Sequence, residues 1–150
     1  MAGKANILQS DVLKLIFQAT GIAIVADNTA TAPLTNLFVS LHTADPTNGG
    51  TQSSSEATYT GYARVAVARS TTGWTISGSS PTGVSNAATV SFPACTGGSS
   101  TVTFVGIGTT VSGTGKLLYS GAITSPSGGL AISNGITPSF AAGQVTVTED

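Results

Sequence analysis

The sequence predicts a mainly β fold: an antiparallel β-sandwich or jelly-roll-like barrel, with one N-terminal amphipathic helix. Three observations predict it. Short runs rich in Val, Ile, Thr and aromatic residues recur from about residue 22 to about residue 148, Gly/Ser/Pro clusters separate them, and helical periodicity is confined to the first twenty residues. No internal repeat stands out, and no linker is long enough to divide the chain, so residues 1–150 read as a single β-rich domain.

The helix is expected over Asn6 to Thr20. Leu8, Val12, Leu15 and Ala19 fall on one face, Ile16 widens the stripe, and Gln9, Lys14 and Gln18 point elsewhere. Asn6 or Ser10 can cap its start, and Gly21 stands just past its end. Such a stripe must lie on the chain's own sheet or on a neighbouring subunit, and its own sheet is the preferred expectation. Strands are then expected at Ile22–Val25, Leu37–His42, Tyr62–Arg69, Gly73–Ser77, Ala88–Phe92, Thr101–Ile107, Lys116–Ile123 and Gln144–Thr148. The Ser70–Gly73 turn predicts a hairpin between the third and fourth of these. Leu37, Val39 and Leu41 alternate with Phe38, Ser40 and His42, which makes the first set the core face. Thr101–Ile107 is apolar on both faces and is expected to be covered on both. Trp74 and Tyr119 are expected as core or interface anchors.

Only 7% of residues are charged, against roughly 25% in an average domain, and the net charge is −1. The basic residues Lys4, Lys14, Arg64, Arg69 and Lys116 are scattered, so the chain carries no electrostatic footprint for nucleic acid or an anionic membrane. Solubility must come from Ser, Thr and Asn. A neutral, hydroxyl-rich surface suits a protein packed against neighbours, because little charge has to be desolvated. Cys95 is the one cysteine, which precludes an intrachain disulfide, and it reads as a small buried apolar residue. The apolar run from Val12 to Ala26 is interrupted by Asp11, Lys14 and Gln18 and followed by Asp27, which departs from a secretion signal. It is also too short and polar to span a bilayer. The expectation is a protein made in the cytoplasm and used without crossing a membrane by that route.

Most of the polar chemistry lies between Leu37 and Ala68, where a long Ser/Thr-rich excursion, 43–60, joins two strands. Ser40 and His42 share a strand face, and Asp45 follows in an Asp-Pro turn. A nucleophilic triad needs the acid to orient the base, and Asp before Pro is better suited to closing its own turn. A single His leaves zinc without a second nitrogen ligand, and Asp45, Asn48 and Glu56 lack the close alternate spacing of a calcium loop. Gly106, Gly108, Gly113 and Gly115 precede no helix, so they read as turn and bulge glycines and not as a dinucleotide fingerprint. Asp45, Glu56, Arg64 and Arg69 are the candidates for pinning the long loop by ion pairs, a structural role. No catalytic, cofactor or metal site is expected.

Several segments together carry a resemblance: Ala32–Leu37 leading into VSLHTADP (39–46), YTGYAR (59–64), Gly106-Ile107-Gly108, KLLYSG (116–121) and GITPSFAAG (135–143). Over nearly its whole length the chain resembles a family of small tailed-bacteriophage proteins encoded with virion structural genes. The resemblance implies a virion component without catalytic motif or cofactor. Its preferred form is a capsid decoration (cement) protein that bridges shell subunits: a homotrimer on the capsid surface whose partner is the major capsid protein. The alternative is a tail-associated or tail-fibre-like adhesion module. In the decoration form the 43–60 loop and the N-terminal segment are the expected contact elements.

Overall fold

The computed structural model describes residues 6–22, 33–78 and 82–149. The fold is mainly β, with antiparallel sheets of sandwich type and one short N-terminal helix; no sheet among the described residues closes into a barrel. The chain divides into two compact units. Met1–Asn36, Ala68–Thr89 and Phe140–Asp150 form the first, and Leu37–Val67 with Val90–Ser139 forms the second.

In the first unit, helix α1 (Asn6–Gln18) lies against a three-stranded antiparallel sheet. Its strands are β3 (Trp74–Ser77), β4 (Thr82–Asn86) and β11 (Thr146–Glu149), in the order β11-β4-β3. Trp74 pairs with Asn86 and Ile76 with Val84, while Val147 takes the other side of Val84. The helix does pack on its own sheet, but through a different face from the one expected. The buried ridge is Gln9, Leu13 and Phe17, spaced one helical turn apart, and Phe17 meets Trp74 edge-on at 4.7 Å between ring centroids. Leu8 is exposed and Val12, Leu15 and Ala19 are only half-buried. The helix is apolar on two sides, and the bulkier Phe17 ridge takes the sheet. It ends at Ala19, which adopts the left-handed conformation (φ 55°) in place of the Gly21 the sequence offers.

Asn86 ties this unit together. Fully buried, it donates to the Ala88 and Ala141 carbonyls and accepts from the Val145 N–H, holding the 141–145 turn against β4. That side-chain role explains a strand with the sequence Thr-Gly-Val-Ser-Asn, which composition alone disfavours.

The second unit is built on a four-stranded sheet of order β2-β1-β7-β8. Its strands are β1 (Asn36–His42), β2 (Val65–Ala68), β7 (Phe104–Gly108) and β8 (Leu117–Ala122). Leu37, Val39 and Leu41 are buried, as alternation predicts, with Phe92, Cys95, Val102, Ile107 and Ile132 in the same unit's core. The opposite face of β1 is also covered, since Ser40 and His42 have no exposed area. Tyr119 is half-buried. Strands β5 (Val90–Ser91), β6 (Ser99–Val102), β9 (Leu130–Ser133) and β10 (Ser139–Phe140) complete the element list.

Two strand expectations are corrected. Thr101–Ile107 is not one strand: β6 pairs with β9, and β7 pairs with β1 and β8. The break falls at Thr103, whose N–H and hydroxyl turn to the His42 and Thr43 carbonyls. The hairpin expected across Ser70–Gly73 does not form, because β2 and β3 belong to different sheets. Apart from Ile22, the strand expected at Ile22–Val25 lies outside the described residues.

Candidate functional site

The most developed polar arrangement sits in the second unit, where the 43–60 excursion folds back over the Phe38-Ser40-His42 face of β1. Its return is fixed first by backbone: Thr43 N–H donates to the Ser55 carbonyl at 2.7 Å and Ala57 N–H to the Leu41 carbonyl at 2.9 Å. Three side chains then lock it.

Gln52 has no exposed area. Its Oε1 accepts from Thr109 N–H (2.8 Å), Thr110 N–H (2.9 Å) and the Thr110 hydroxyl (3.2 Å), and its Nε2 reaches the Phe38 carbonyl at 3.4 Å. The Gln52 N–H donates to the Gly115 carbonyl at 3.0 Å. Room for this side chain comes from glycine. A Cβ on Gly108 would lie 2.2 Å from Gln52 Cδ, and one on Gly115 would lie 2.0 Å from Thr110 Oγ1. A Cβ on Gly106 would likewise stand 2.5 Å from His42 Nε2 and 2.7 Å from Ser40 Oγ. A register irregularity does fall at Ile107/Gly108, but the pair Gly106 and Gly108 is there for close approach inside a strand and not for a turn.

His42 is the second lock. Its Nδ1 stands 2.8 Å from the Ser54 carbonyl and its Nε2 2.9 Å from Ser40 Oγ. A carbonyl can only accept, so in the neutral ring Nδ1 carries the proton and Nε2 takes the Ser40 hydroxyl. Burial holds its pKa below the usual 6.5, against the opposing pull of the Ser54 bond and the Glu56 charge. Two members of a nucleophilic triad are thus adjacent, but a backbone carbonyl holds the third place. Asp45 is exposed and accepts from the Thr47 N–H at 2.8 Å, closing its own turn. Ser40 and His42 are fully covered, so Ser40 Oγ has no approach for a substrate in this arrangement.

Arg64 is the third. Its guanidinium grips Glu56 in a two-pronged pair, Nε to Oε1 at 2.6 Å and Nη2 to Oε2 at 2.7 Å. Nη1 donates to the Thr110 carbonyl and hydroxyl at 3.0 Å, and Nη2 to the Gly113 carbonyl at 2.8 Å. Only 2% of its side chain is exposed. Tyr62 donates to Glu56 Oε1 at 2.9 Å and accepts the Leu41 N–H at 3.1 Å; burial raises its pKa well above the ordinary phenol range. The bond to Glu56 likewise raises that of Arg64.

Of the four charges considered as loop pins, Glu56 and Arg64 therefore meet in this cluster, and Asp45 stays in its turn. Arg69 lies in the first unit. It donates to the Leu15 carbonyl, to the Ile16 carbonyl at 2.6 Å and to the Leu34 carbonyl at 3.3 Å, placing a cation on the C-terminal end of α1. Sequence reasoning missed Gln52, Tyr62 and Thr110. The available signal was the pair of glycines two apart within an apolar strand pattern, which marks a facing side chain that needs space. Among the described residues no three His, Cys, Asp or Glu side chains gather as a metal site, and no helix is long and apolar enough to cross a membrane.

The arrangement is a lock: it holds an 18-residue excursion (43–60) in one conformation and leaves its outer face of Thr, Ser and Asn to solvent. The segments LHTADP, YTGYAR and Gly106-Ile107-Gly108 each contribute to it. No curated protein matches the chain. A family model described as podophage GP4 fiber I protein gp80 matches residues 6–148. The chain belongs to this podophage GP4 fiber I protein family, and is a phage virion structural protein.

Proposed function

We propose that this chain is a structural component of a podophage fibre, working by packing against other virion proteins and not by catalysis. The observation that carries the reading is the family match, whose description names a fibre protein and which takes in both compact units. The buried lock supports it. A loop with its side chains already fixed presents a contact surface without the ordering cost a flexible loop would incur on binding. Thr43, Thr47, Asn48, Ser55 and Thr58 are the exposed groups such a contact would use.

All nine aromatic residues are buried or half-buried, which favours a scaffolding role over a glycan-reading fibre tip that stacks sugars on exposed rings. Capsid decoration is the second reading. The low surface charge favours it, because neutral hydroxyl-rich surfaces suit a protein that covers a shell lattice and stabilises it by binding the assembled state. In that case the major capsid protein would be the partner.

Quantitative mass spectrometry of purified virions, with labelled antibody imaging, tests the reading. The fibre assignment expects a copy number far below that of the major capsid protein and label at the fibres. A copy number comparable with the major capsid protein and label over the head would overturn it in favour of decoration.

A further inference from the structure

With one cysteine the chain has no disulfide of its own, yet Gln52 and Thr110, 58 residues apart, meet where a different covalent tie can form. The Thr110 hydroxyl stands 3.2 Å from Gln52 Oε1. That same oxygen accepts the consecutive backbone N–H groups of Thr109 and Thr110, at 2.8 and 2.9 Å. Arg64 Nη1 lies 3.0 Å from the hydroxyl oxygen. We infer that this is a self-modification site, at which Thr110 and Gln52 join through a side-chain ester and tie the 43–60 excursion to the connection between β7 and β8.

Each group has a part in the bond change. The two backbone N–H groups on Oε1 form an oxyanion hole, favouring the negative charge that oxygen takes on when its carbon is attacked. The Arg64 cation, itself held by Glu56 at 2.6 Å, favours the deprotonated form of the hydroxyl beside it and so strengthens the nucleophile. Gln52 Nε2, the leaving nitrogen, reaches the Phe38 carbonyl at a long 3.4 Å. Thr110 Oγ1 bonds to Gln52 Cδ, the Cδ–Nε2 bond breaks with its electron pair staying on nitrogen, and the hydroxyl proton passes to that nitrogen, which departs as ammonia. No oxidant, reductant or second substrate is consumed, and both N–H bonds to Oε1 persist in the ester. Glycine makes the approach possible: a Cβ on Gly115 would lie 2.0 Å from Thr110 Oγ1 and 2.3 Å from Gln52 Oε1. Gln52 has no exposed area, so water that would hydrolyse the ester is kept away. A bond made once per molecule needs no turnover, and a slow reaction between groups held in place suffices. The closed loop restricts the unfolded chain as a disulfide does, which serves a virion part in a fibre or a shell alike.

Peptide mapping by mass spectrometry tests it, on the full chain incubated folded at neutral pH and then digested with trypsin in denaturant. Cleavage after Lys and Arg places Gln52 in peptide 15–64 and Thr110 in peptide 70–116. The two are expected to stay joined, at their summed mass less one ammonia. Dilute alkali should part them, leaving a carboxylate where the Gln52 carboxamide was. Loss of ammonia alone does not decide, because Asn48-Gly49 and Asn134-Gly135 can shed it by cyclising within their own peptides. Thr110→Ser is expected to keep the linkage, and Thr110→Val and Gln52→Glu to lose it completely. Wild-type peptides that remain separate after prolonged incubation would overturn the inference. So would a linkage that survives in Thr110→Val, which would assign it to another pair of residues.

Discussion

Gln52 in the second unit is fully buried, and its carbonyl oxygen accepts three hydrogen bonds; Gln9 in the first is 6% exposed, and its carbonyl oxygen accepts none. The contrast extends beyond the glutamines. The buried unpartnered side-chain atoms among the described residues, Gln9 Oε1, Trp74 Nε1 and Thr82 Oγ1, all belong to the first unit, whereas Arg64, His42 and Ser40 in the second are engaged throughout. A buried group left without a partner costs about 1–3 kcal/mol, so the helix-on-sheet unit is seated at some expense while the loop-on-sheet unit is committed to one arrangement. Polar satisfaction under a loop fixes the second unit, whereas the helix of the first is held by apolar packing of Leu13, Phe17 and Trp74.

Breaking the lock at its centre should produce the largest effect. Arg64→Ala leaves Glu56 without its cation in a largely covered site and removes the clamp on Thr110 and Gly113, so a loss of about 3–5 kcal/mol is expected in chemical denaturation. Arg64→Lys keeps the charge but not the fork, and should recover only part of that loss.

A pair of glycines sharpens the comparison. Gly108→Ala drives a methyl into Gln52 and should cost about 1–3 kcal/mol by overpacking. Gly83→Ala, on β4 of the first unit, meets nothing closer than 3.6 Å and should leave the denaturation midpoint close to wild type. Equal losses at the two sites would mean that space around Gln52 is not what the second unit depends on.

His42, the chain's one histidine, gives the second unit a pH dependence below neutrality. Its folded pKa is depressed below 6.5, so the unfolded chain takes up the proton first as pH falls. Its contribution to stability is therefore complete above about pH 6.5 and declines as pH falls from there through the folded pKa. Glu56 and Arg64 are the charged groups facing the ring, and they act in opposite directions. Denaturation series at stepped pH should show this decline in the wild type and lose it in His42→Gln. The smallest change belongs to Asp45→Ala, which removes one exposed turn bond and should shift stability by no more than about 0.5 kcal/mol.

Much of this architecture is legible in the sequence where a local rule suffices. Alternation identifies β1 and its core face because period two is a property of neighbouring residues. The helix is equally legible, but which of its two apolar sides is inward is decided by Trp74, far along the chain, and a helical wheel contains no such information. Strand β4 is hidden because Gly83 and Asn86 are poor strand formers, and Asn86 is retained for a side chain that bonds to Ala141 and Val145. The lock is half legible. Glu56 and Arg64 stand out as rare charges in a neutral chain, yet Arg64's partners Thr110 and Gly113 lie 46 and 49 residues away, and Arg69, of the same chemistry, turns instead to helix carbonyls. Long-range partner choice of this kind is fixed by topology, not by spacing.

Every orphaned buried side-chain atom among the described residues lies in the first unit, and one matched substitution measures what that difference costs. Gln52→Leu and Gln9→Leu exchange the same side chain for the same apolar replacement, and urea denaturation compares them directly. The prediction is opposite behaviour: a loss of about 3 kcal/mol for Gln52→Leu, which strands the Thr109 and Thr110 N–H groups, and a neutral to slightly stabilising change for Gln9→Leu, whose buried Oε1 loses no partner. Equal destabilisation by the two would contradict it.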